Sequence, residues 1–457
     1  MTKILFLYPN KIFDGILPFG ISLMAAYLKQ GGHEVKLFDA INYDNEATDS
    51  KIGEKHGEFV PVEMPPKKPG EQLQKDLNEL VRQFDPHIIG VSTTSFLFNA
   101  AIDMIRQLPK HNALVAFGGV HSEVCPDETI ASPLIDIICI GEGELAILEL
   151  ADAIQENRDF TRIKNLWVKT GDTIHRNNLR EFQSLDELLY YDWSMFDRQF
   201  YKPFLGKLYK CGHYELSRGC PYHCSYCSNS YLKELFKACG PHHRERGIGR
   251  AMRELEHIKQ EYGLQMLKFW DESFLAMRME RLEEFATQYK SSIGLPFIIQ
   301  TRPETVSESK MALLKSAGCV AISMGIESGS KRIRDEVLNR PMADEMIINA
   351  FKTVKKFGIR SSAFNMIGLP FETEEDVRKT IELNRKADPD SVGVSFFYPF
   401  QGTKLREVCE REGFIGKDSH EINIREGSML DMPQLGKERL VELRKLFDKR
   451  LWSNMDL

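Results

Sequence analysis

Short apolar, β-branched runs alternate with amphipathic segments twice along this chain, and that repeated order constrains its fold more than any other feature. From Lys3 to Asn157 the runs KILFLYP, HEVKLFDA, HIIGVSTTS, ALVAFGG and IDIICIG read as five buried strands with helical segments between them. One of these helices, Gly20 to Lys29, stops at Gly31-Gly32, where glycine lets the chain turn back and satisfy the last carbonyls. Such strands joined by crossover helices predict an α/β, doubly wound, Rossmann-like sheet whose ligand sits beyond the carboxyl ends of the strands. The polar insert from Asn42 to Gly70, with Pro65-Pro66-Lys67-Lys68-Pro69, reads as a surface loop.

After Asn157 the pattern loosens into a connector that ends in the aromatic-rich Tyr190-Tyr191-Asp192-Trp193-Ser194-Met195-Phe196. A second alternation starts at Tyr214, with strand candidates YELSRG, MLKFWDES, PFIIQTRP, AISMGIES, SSAFNMIGLP and SVGVSFFYP, separated by helices such as Met252 to Tyr262 and Met346 to Phe357. Six βα repeats predict a partial TIM barrel. The tail from Gly402 carries a charged amphipathic helix, Lys437 to Leu451, expected to cap that barrel. The expected division is a Rossmann-like domain over 1–157, a connector over 158–205, a barrel over 206–401 and a helical extension over 402–457.

A chain of 457 residues exceeds what one core usually organises, which agrees with that modular plan. Sixty basic against sixty-six acidic residues leave a net charge of -6, so no basic footprint for nucleic acid is present. No stretch approaches the roughly 20 apolar residues of a membrane span. The apolar run Ile4 to Tyr8 is too short for a signal-peptide core, so the expected location is the cytoplasm. Nine cysteines, an odd number in such a chain, make a disulfide framework improbable and leave thiolates available to metal.

Three of those cysteines, Cys220, Cys224 and Cys227, fall within ten residues with C-x3-C-x2-C spacing. Tight spacing of this kind suits an iron-sulfur cluster, because successive thiolates on one loop reach separate corners of a cube. Zinc is the competitor; a structural zinc site normally takes four protein ligands, and His213 and His223 lie nearby in sequence. The loop follows the first barrel strand, at the end where barrel chemistry occurs. Cys139 and Cys319, within apolar runs, read as small core residues, and Cys211 and Cys239 flank the loop with no spacing that demands a role.

With Tyr226 between the second and third cysteines, the motif resembles that of the radical S-adenosylmethionine (SAM) superfamily. The resemblance implies that the three cysteines hold three irons of a 4Fe-4S cluster, that SAM chelates the fourth iron through its amine and carboxylate, and that Tyr226 lies beside the adenine. It assigns Asp271 to the methionine amine, Arg302 to a carboxylate, Glu327 to the ribose hydroxyls, and the backbone edge at Ile367 and Gly368 to adenine. Each strand-end acid taken alone reads as an ordinary loop or cap residue; their order along successive strands carries the argument.

The first domain contains Asp85-Pro86-His87-Ile88-Ile89-Gly90, a literal match to the D-x-H-x-x-G pattern through which some cobalamin proteins give a histidine to cobalt. It stands before the third strand instead of after the first, so His87 reads as a residue leading into a strand, and the loop in the matching place, Asn10 to Gly20, has no histidine. The domain otherwise resembles the cobalamin-binding domain that precedes many radical SAM enzymes. That resemblance points to Ser92 and Ser95 after the third strand, Gly118 and Gly119 after the fourth, and Gly141, Glu142 and Gly143 after the fifth, where small residues admit a nucleotide tail. Cobalamin is expected base-off, without a protein histidine on cobalt.

These resemblances imply a cobalamin-dependent radical SAM enzyme, expected to be a methylase that uses methylcobalamin and a 5'-deoxyadenosyl radical on an unactivated centre of a small molecule or peptide. An external one-electron reductant such as flavodoxin or ferredoxin is implied. Relatives of the same layout catalyse ring formation or oxidation without methyl transfer, including the anaerobic cyclase of bacteriochlorophyll synthesis. A tRNA methylthiotransferase is disfavoured by the absence of a basic tail, and a cluster scaffold without activity is the non-enzymatic alternative. Tyr398, Phe400, Trp193 and the segment from Glu421 to Asp431 are candidates to line a substrate pocket.

Overall fold

The computed structural model describes residues 1–10, 17–44, 56–57, 62–415 and 427–454. They divide into two compact units, one formed by 1–52, 63–202 and 235–241 and the other by 53–62, 203–234 and 242–457.

In the first unit the five expected strands are β1 (Lys3–Tyr8), β2 (Glu34–Asp39), β3 (Ile88–Ser92), β4 (Leu114–Gly118) and β5 (Ile137–Cys139). They run parallel in the order β2-β1-β3-β4-β5, so the order reverses at β1 and leaves a crevice beside its carboxyl end. Helix α1 (Phe19–Gln30) ends at Gly31, one residue beyond each expected bound. Helix α2 (Leu73–Phe84) buries Leu73, Leu77, Val81 and Phe84, one face at helical spacing. It stops where Asp85 adopts a left-handed backbone (φ 48°) ahead of Pro86.

The sheet is wider than its sequence suggests. Two antiparallel strands, β6 (Leu166–Thr170) and β7 (Thr173–Arg176), extend it past β5 and turn at Gly171, φ 57°. Trp193, fully buried, stacks on Tyr191 at 6.1 Å and meets Phe200 edge-on at 5.8 Å, so it serves as core packing of this unit instead of lining a pocket.

The second unit has six parallel strands: β8 (Lys207–Tyr214), β9 (Met266–Phe269), β10 (Phe297–Thr301), β11 (Cys319–Glu327), β12 (Arg360–Ile367) and β13 (Ser391–Phe396). Helices α3 (Ile248–Tyr262), α4 (Met279–Gln288), α5 (Glu308–Ala317), α6 (Asp344–Lys356) and α7 (Glu374–Ala387) alternate with them, giving a partial barrel. The first strand lies earlier than expected. Lys207–Tyr214 is the barrel strand, and of YELSRG only Tyr214 belongs to it, while Ser217–Arg218 pairs with Arg244–Glu245. His56 and Gly57, from the insert expected as a loop, pair antiparallel with Val392 and Ser391 of β13; most of that insert lies outside the described residues.

Alternation along the barrel strands separates two faces. Phe269, Phe297, Phe285 and Tyr289 interlock behind the sheet with centroids 4.8–6.0 Å apart, fixing β9 and β10 against α4. Each such ring contributes about 1.5–3 kcal/mol by burial. The opposite parity places Lys268, Trp270, Gln300, Ser323 and Phe364 on the inner face, with the Lys268 ammonium 3.2 Å from the Trp270 ring centroid. The C-terminal helix α8 is shorter than expected, Lys437–Lys445, and buries Leu440 and Leu443 with Ile367, Val377 and Phe447.

Candidate active site

The chain leaves β8 through Leu216 and the Ser217–Arg218 pair and turns at Gly219, φ 78°. A Cβ at Gly219 would stand 2.2 Å from the His242 carbonyl oxygen, so only glycine fits. Cys220, Cys224 and Cys227 follow on a loop anchored from outside itself. Ser225 N donates to Leu338 O at 3.1 Å, Asn339 Nδ2 to His223 O at 2.8 Å, and Leu405 N to Ser225 O at 3.2 Å. Ser230 Oγ, in the helix Ser228–Leu235, donates to Cys224 O at 2.8 Å.

Two of the three sulfurs face hydrogen-bond donors. Arg302 Nη1 lies 3.3 Å from Cys224 Sγ, and Asn229 Nδ2 lies 3.7 Å from Cys227 Sγ. Burial, reinforced by the Glu272 carboxylate, pushes the Cys220 thiol up and takes Cys227 to about 12. Among the described residues no three His, Cys, Asp or Glu side chains converge as one metal ion requires. Three thiols on one loop, two of them with N–H donors at their sulfurs, suit the ligation of an iron-sulfur cluster.

The acids expected near the cluster divide their work. Asp271 is 1% exposed, and both its oxygens are engaged, Oδ2 by Leu216 N at 3.1 Å and Oδ1 by Ser217 Oγ at 2.6 Å. It ties the start of the cysteine loop to β9, and burial raises it to about 6. Its neighbour Glu272 is exposed, hydrogen-bonds Asn229, and its negative charge raises the Cys220 and Cys227 thiols. Asp271, the acid singled out in the sequence, is thus committed to Leu216 and Ser217, and the carboxylate whose charge acts on the cysteines is the next residue, Glu272.

Tyr226 and Glu327 are brought together by Arg340, which sequence reasoning missed. Arg340 donates to Tyr226 Oη at 3.1 Å and to Gly325 O at 2.8 Å, and its Nη1 lies 3.6 Å from Glu327 Oε1. Glu327 holds a left-handed backbone, φ 65°, where β11 ends. At the end of β12, Ile367 is fully buried and Gly368 has φ 76°. The amides of Gly368 and Leu369 donate to Glu372 Oε2 at 2.6 and 3.2 Å, and burial lifts this carboxyl to about 8.

Of the other candidates, Tyr398 and Phe400 pack on each other at 4.8 Å. Residues 421–426 lie outside the described residues, while Met429 and Leu430 are buried, Leu430 in a core with Ile333 and Phe397.

In the first unit, Ser92, Ser95, Gly118 and Gly119 meet at the carboxyl ends of β3 and β4. Gly119 has φ 88°, and a Cβ there would lie 2.6 Å from Thr93 O. His121 stacks on Phe98 at 4.0 Å, and its Nδ1 lies 3.1 Å from Ser95 Oγ; burial holds the imidazole down at about 4, hence neutral at physiological pH. Thr93 Oγ1, His121 Nε2 and Ser122 Oγ are buried and lack a hydrogen-bond partner. A glycine cradle with three unsatisfied polar atoms beside a sheet crevice fits the polar tail of a nucleotide cofactor. Gly141 and Glu142 line a cleft together with Asn165, Arg180, Phe182 and Cys239. Gly143, which follows, lies against Met24. His87 is a strand-leading residue, accepting from Lys3 N at 2.9 Å through Nδ1; residues 11–16, in the loop after β1, lie outside the described residues.

The Radical SAM superfamily model matches residues 214–383, and the B12 binding domain model matches residues 13–151. An uncharacterized methyltransferase of Pyrococcus horikoshii is 30% identical over 342 residues, 73% of this chain and 72% of its own length. The cytidylyl-2-hydroxyethylphosphonate methyltransferase of Streptomyces wedmorensis is 22% identical, covering 96% of this chain and 86% of its own. The radical SAM methyltransferase TsrM of Kitasatospora setae, solved with cobalamin and a 4Fe-4S cluster, superposes with a TM-score of 0.67 at 19% identity, over 91% of this chain and 79% of its own. Among the described residues no helix is long and apolar enough to cross a membrane.

Proposed function

The chain belongs to the radical SAM superfamily, in the group that also carries a B12-binding domain, and on that premise we propose that it methylates an unactivated centre of a small molecule or peptide. The observation that carries the proposal is the cysteine loop, whose backbone is held from outside the loop and two of whose sulfurs meet Arg302 and Asn229. When bound, the cluster and SAM supply one-electron cleavage of a sulfonium, and cobalamin supplies a methyl carrier.

The residues divide the remaining work. Cys220, Cys224 and Cys227 would hold an iron-sulfur cluster by three of its irons, with SAM binding at the fourth. Glu272 receives the methionine amine, and Asp271 positions the loop through Leu216 and Ser217. Glu327 meets the ribose hydroxyls, with Tyr226 and Arg340 fixing its direction. The Ile367–Gly368 edge, braced by Glu372, receives the adenine. In the first domain Ser92, Ser95, Gly118 and Gly119 accommodate the nucleotide tail of cobalamin, and Gly141, Glu142 and Gly143 line its surroundings. If bound, cobalamin would be held base-off with no histidine of this chain on it, a reading supported by His87 accepting from Lys3 N. An external donor such as flavodoxin or ferredoxin provides the electron.

The test is anaerobic reconstitution with iron, sulfide and hydroxocobalamin, then incubation with reductant and SAM. We expect 5'-deoxyadenosine from the wild type and none from the Cys220→Ala, Cys224→Ala or Cys227→Ala variants. S-adenosylhomocysteine is expected alongside it; 5'-deoxyadenosine without S-adenosylhomocysteine would support ring formation or oxidation instead, and neither product would overturn the proposal. The spectrum of the cobalt(II) form should lack nitrogen hyperfine splitting from a lower ligand.

A further inference from the structure

Arg302 is 8% exposed and its donors are committed on several sides. Nη1 points at Cys224 Sγ (3.3 Å), the Nε edge pairs with Glu304, and the guanidinium carbon lies 3.8 Å from the Tyr222 ring centroid. A carboxylate from SAM would need a free two-nitrogen edge of the fork, and Glu304 already takes the Nε side. Tyr222 belongs to the three-residue spacer between Cys220 and Cys224, so the cysteine loop itself supplies the face that holds the guanidinium. Glu304 Oε2 is buried without a hydrogen-bond partner, leaving its charge incompletely compensated.

We propose that Arg302 is an electrostatic partner of the cluster ligand Cys224, raising the cluster's reduction potential through an N–H···S contact, with Tyr222 and Glu304 setting its position and strength. The proposal rests on the cluster reading given above. Reduction adds negative charge that spreads onto the thiolate sulfurs, so a cation and an N–H donor at Cys224 favour the reduced form. Glu304, on the far side of the guanidinium, opposes that effect. The two side chains therefore act on the same potential with opposite signs.

The test uses anaerobically reconstituted full-length protein, a potentiometric titration followed by EPR of the reduced cluster, and SAM binding measured separately. For Arg302→Met the reduced-to-oxidised ratio at a fixed poise should fall about tenfold, a midpoint about 59 mV lower for a one-electron couple. Arg302→Lys should fall between, Tyr222→Leu should shift less in the same direction, and Glu304→Gln should shift the midpoint upward. Unchanged midpoints with weakened SAM binding would overturn the proposal and return Arg302 to the substrate carboxylate. Should Arg302→Met fail to load iron, the opposite signs of Tyr222→Leu and Glu304→Gln decide, and equal or like-signed shifts overturn it. Wild-type protein that binds no reducible cluster fails at the iron and sulfide assay, before any variant is compared, and that outcome overturns the functional reading as well.

Discussion

The guanidinium of Arg340 donates to the Tyr226 hydroxyl at 3.1 Å, joining the cysteine loop to a turn 114 residues later in the chain. The same side chain lies 3.6 Å from Glu327, and both charged groups are largely buried. Removing one partner of a buried pair leaves the other uncompensated, which costs about 3–5 kcal/mol. Arg340→Met should therefore lower the urea midpoint of the apo-protein and weaken SAM binding together, whereas Arg340→Lys should recover part of the stability. A stability equal to wild type would show that the pair does not support the loop.

Asp271 and Glu272 are adjacent but should fail differently. Asp271→Asn leaves Leu216 N or Ser217 Oγ poorly satisfied, a loss of about 1–3 kcal/mol visible in thermal unfolding. Glu272→Gln should leave unfolding nearly unchanged and weaken SAM binding about tenfold, equivalent to about 1.4 kcal/mol. Equilibrium dialysis with labelled SAM separates the two, and the reverse pattern would return the amine role to Asp271.

Glu372 gives a pH dependence with a definite sign. Burial raises its carboxyl from 4.5 to about 8, so between those values the unfolded chain has released a proton that the folded one retains. Stability from this group is complete below pH 4.5 and is lost as pH rises through about 8. Denaturation of wild type and Glu372→Gln at pH 5, 6.5 and 8 should diverge by about 3.5 kcal/mol over that range, with the variant the flatter of the two. Parallel curves would show that the carboxyl titrates normally.

Gly119 offers a test confined to the first domain. Its φ of 88° and the 2.6 Å approach of a Cβ to Thr93 O leave no room for a side chain. Gly119→Val should abolish retention of hydroxocobalamin after desalting, read from its absorbance, while reconstitution of the iron-sulfur absorbance persists. His121→Phe should weaken cobalamin more than cobinamide, which lacks the nucleotide; equal losses would remove His121 from that tail.

The parallel strands of both units were legible because their residues are apolar on both faces, as KILFLYP and AISMGIES illustrate. The β6–β7 hairpin escaped notice because its strands are half exposed, and Thr173–Arg176 has no buried residue to create a pattern. Lys207–Tyr214 was obscured by lysines in its first half, which leave only the last four residues buried. The cysteine loop was readable from spacing alone. Arg340 was not: it reaches Tyr226 from a turn distant in sequence, and no local period encodes that meeting. Choosing between Asp271 and Glu272 likewise required knowing which carboxylate the backbone of Leu216 had already taken.

The cysteine loop is held by Leu338, Asn339 and Leu405 through contacts that involve no metal. Those three anchors come from the polypeptide alone, so they do not depend on whether the thiolates carry iron. A cluster destroyed by oxygen would then be replaceable in place, and damage to the cofactor need not condemn the protein that carries it.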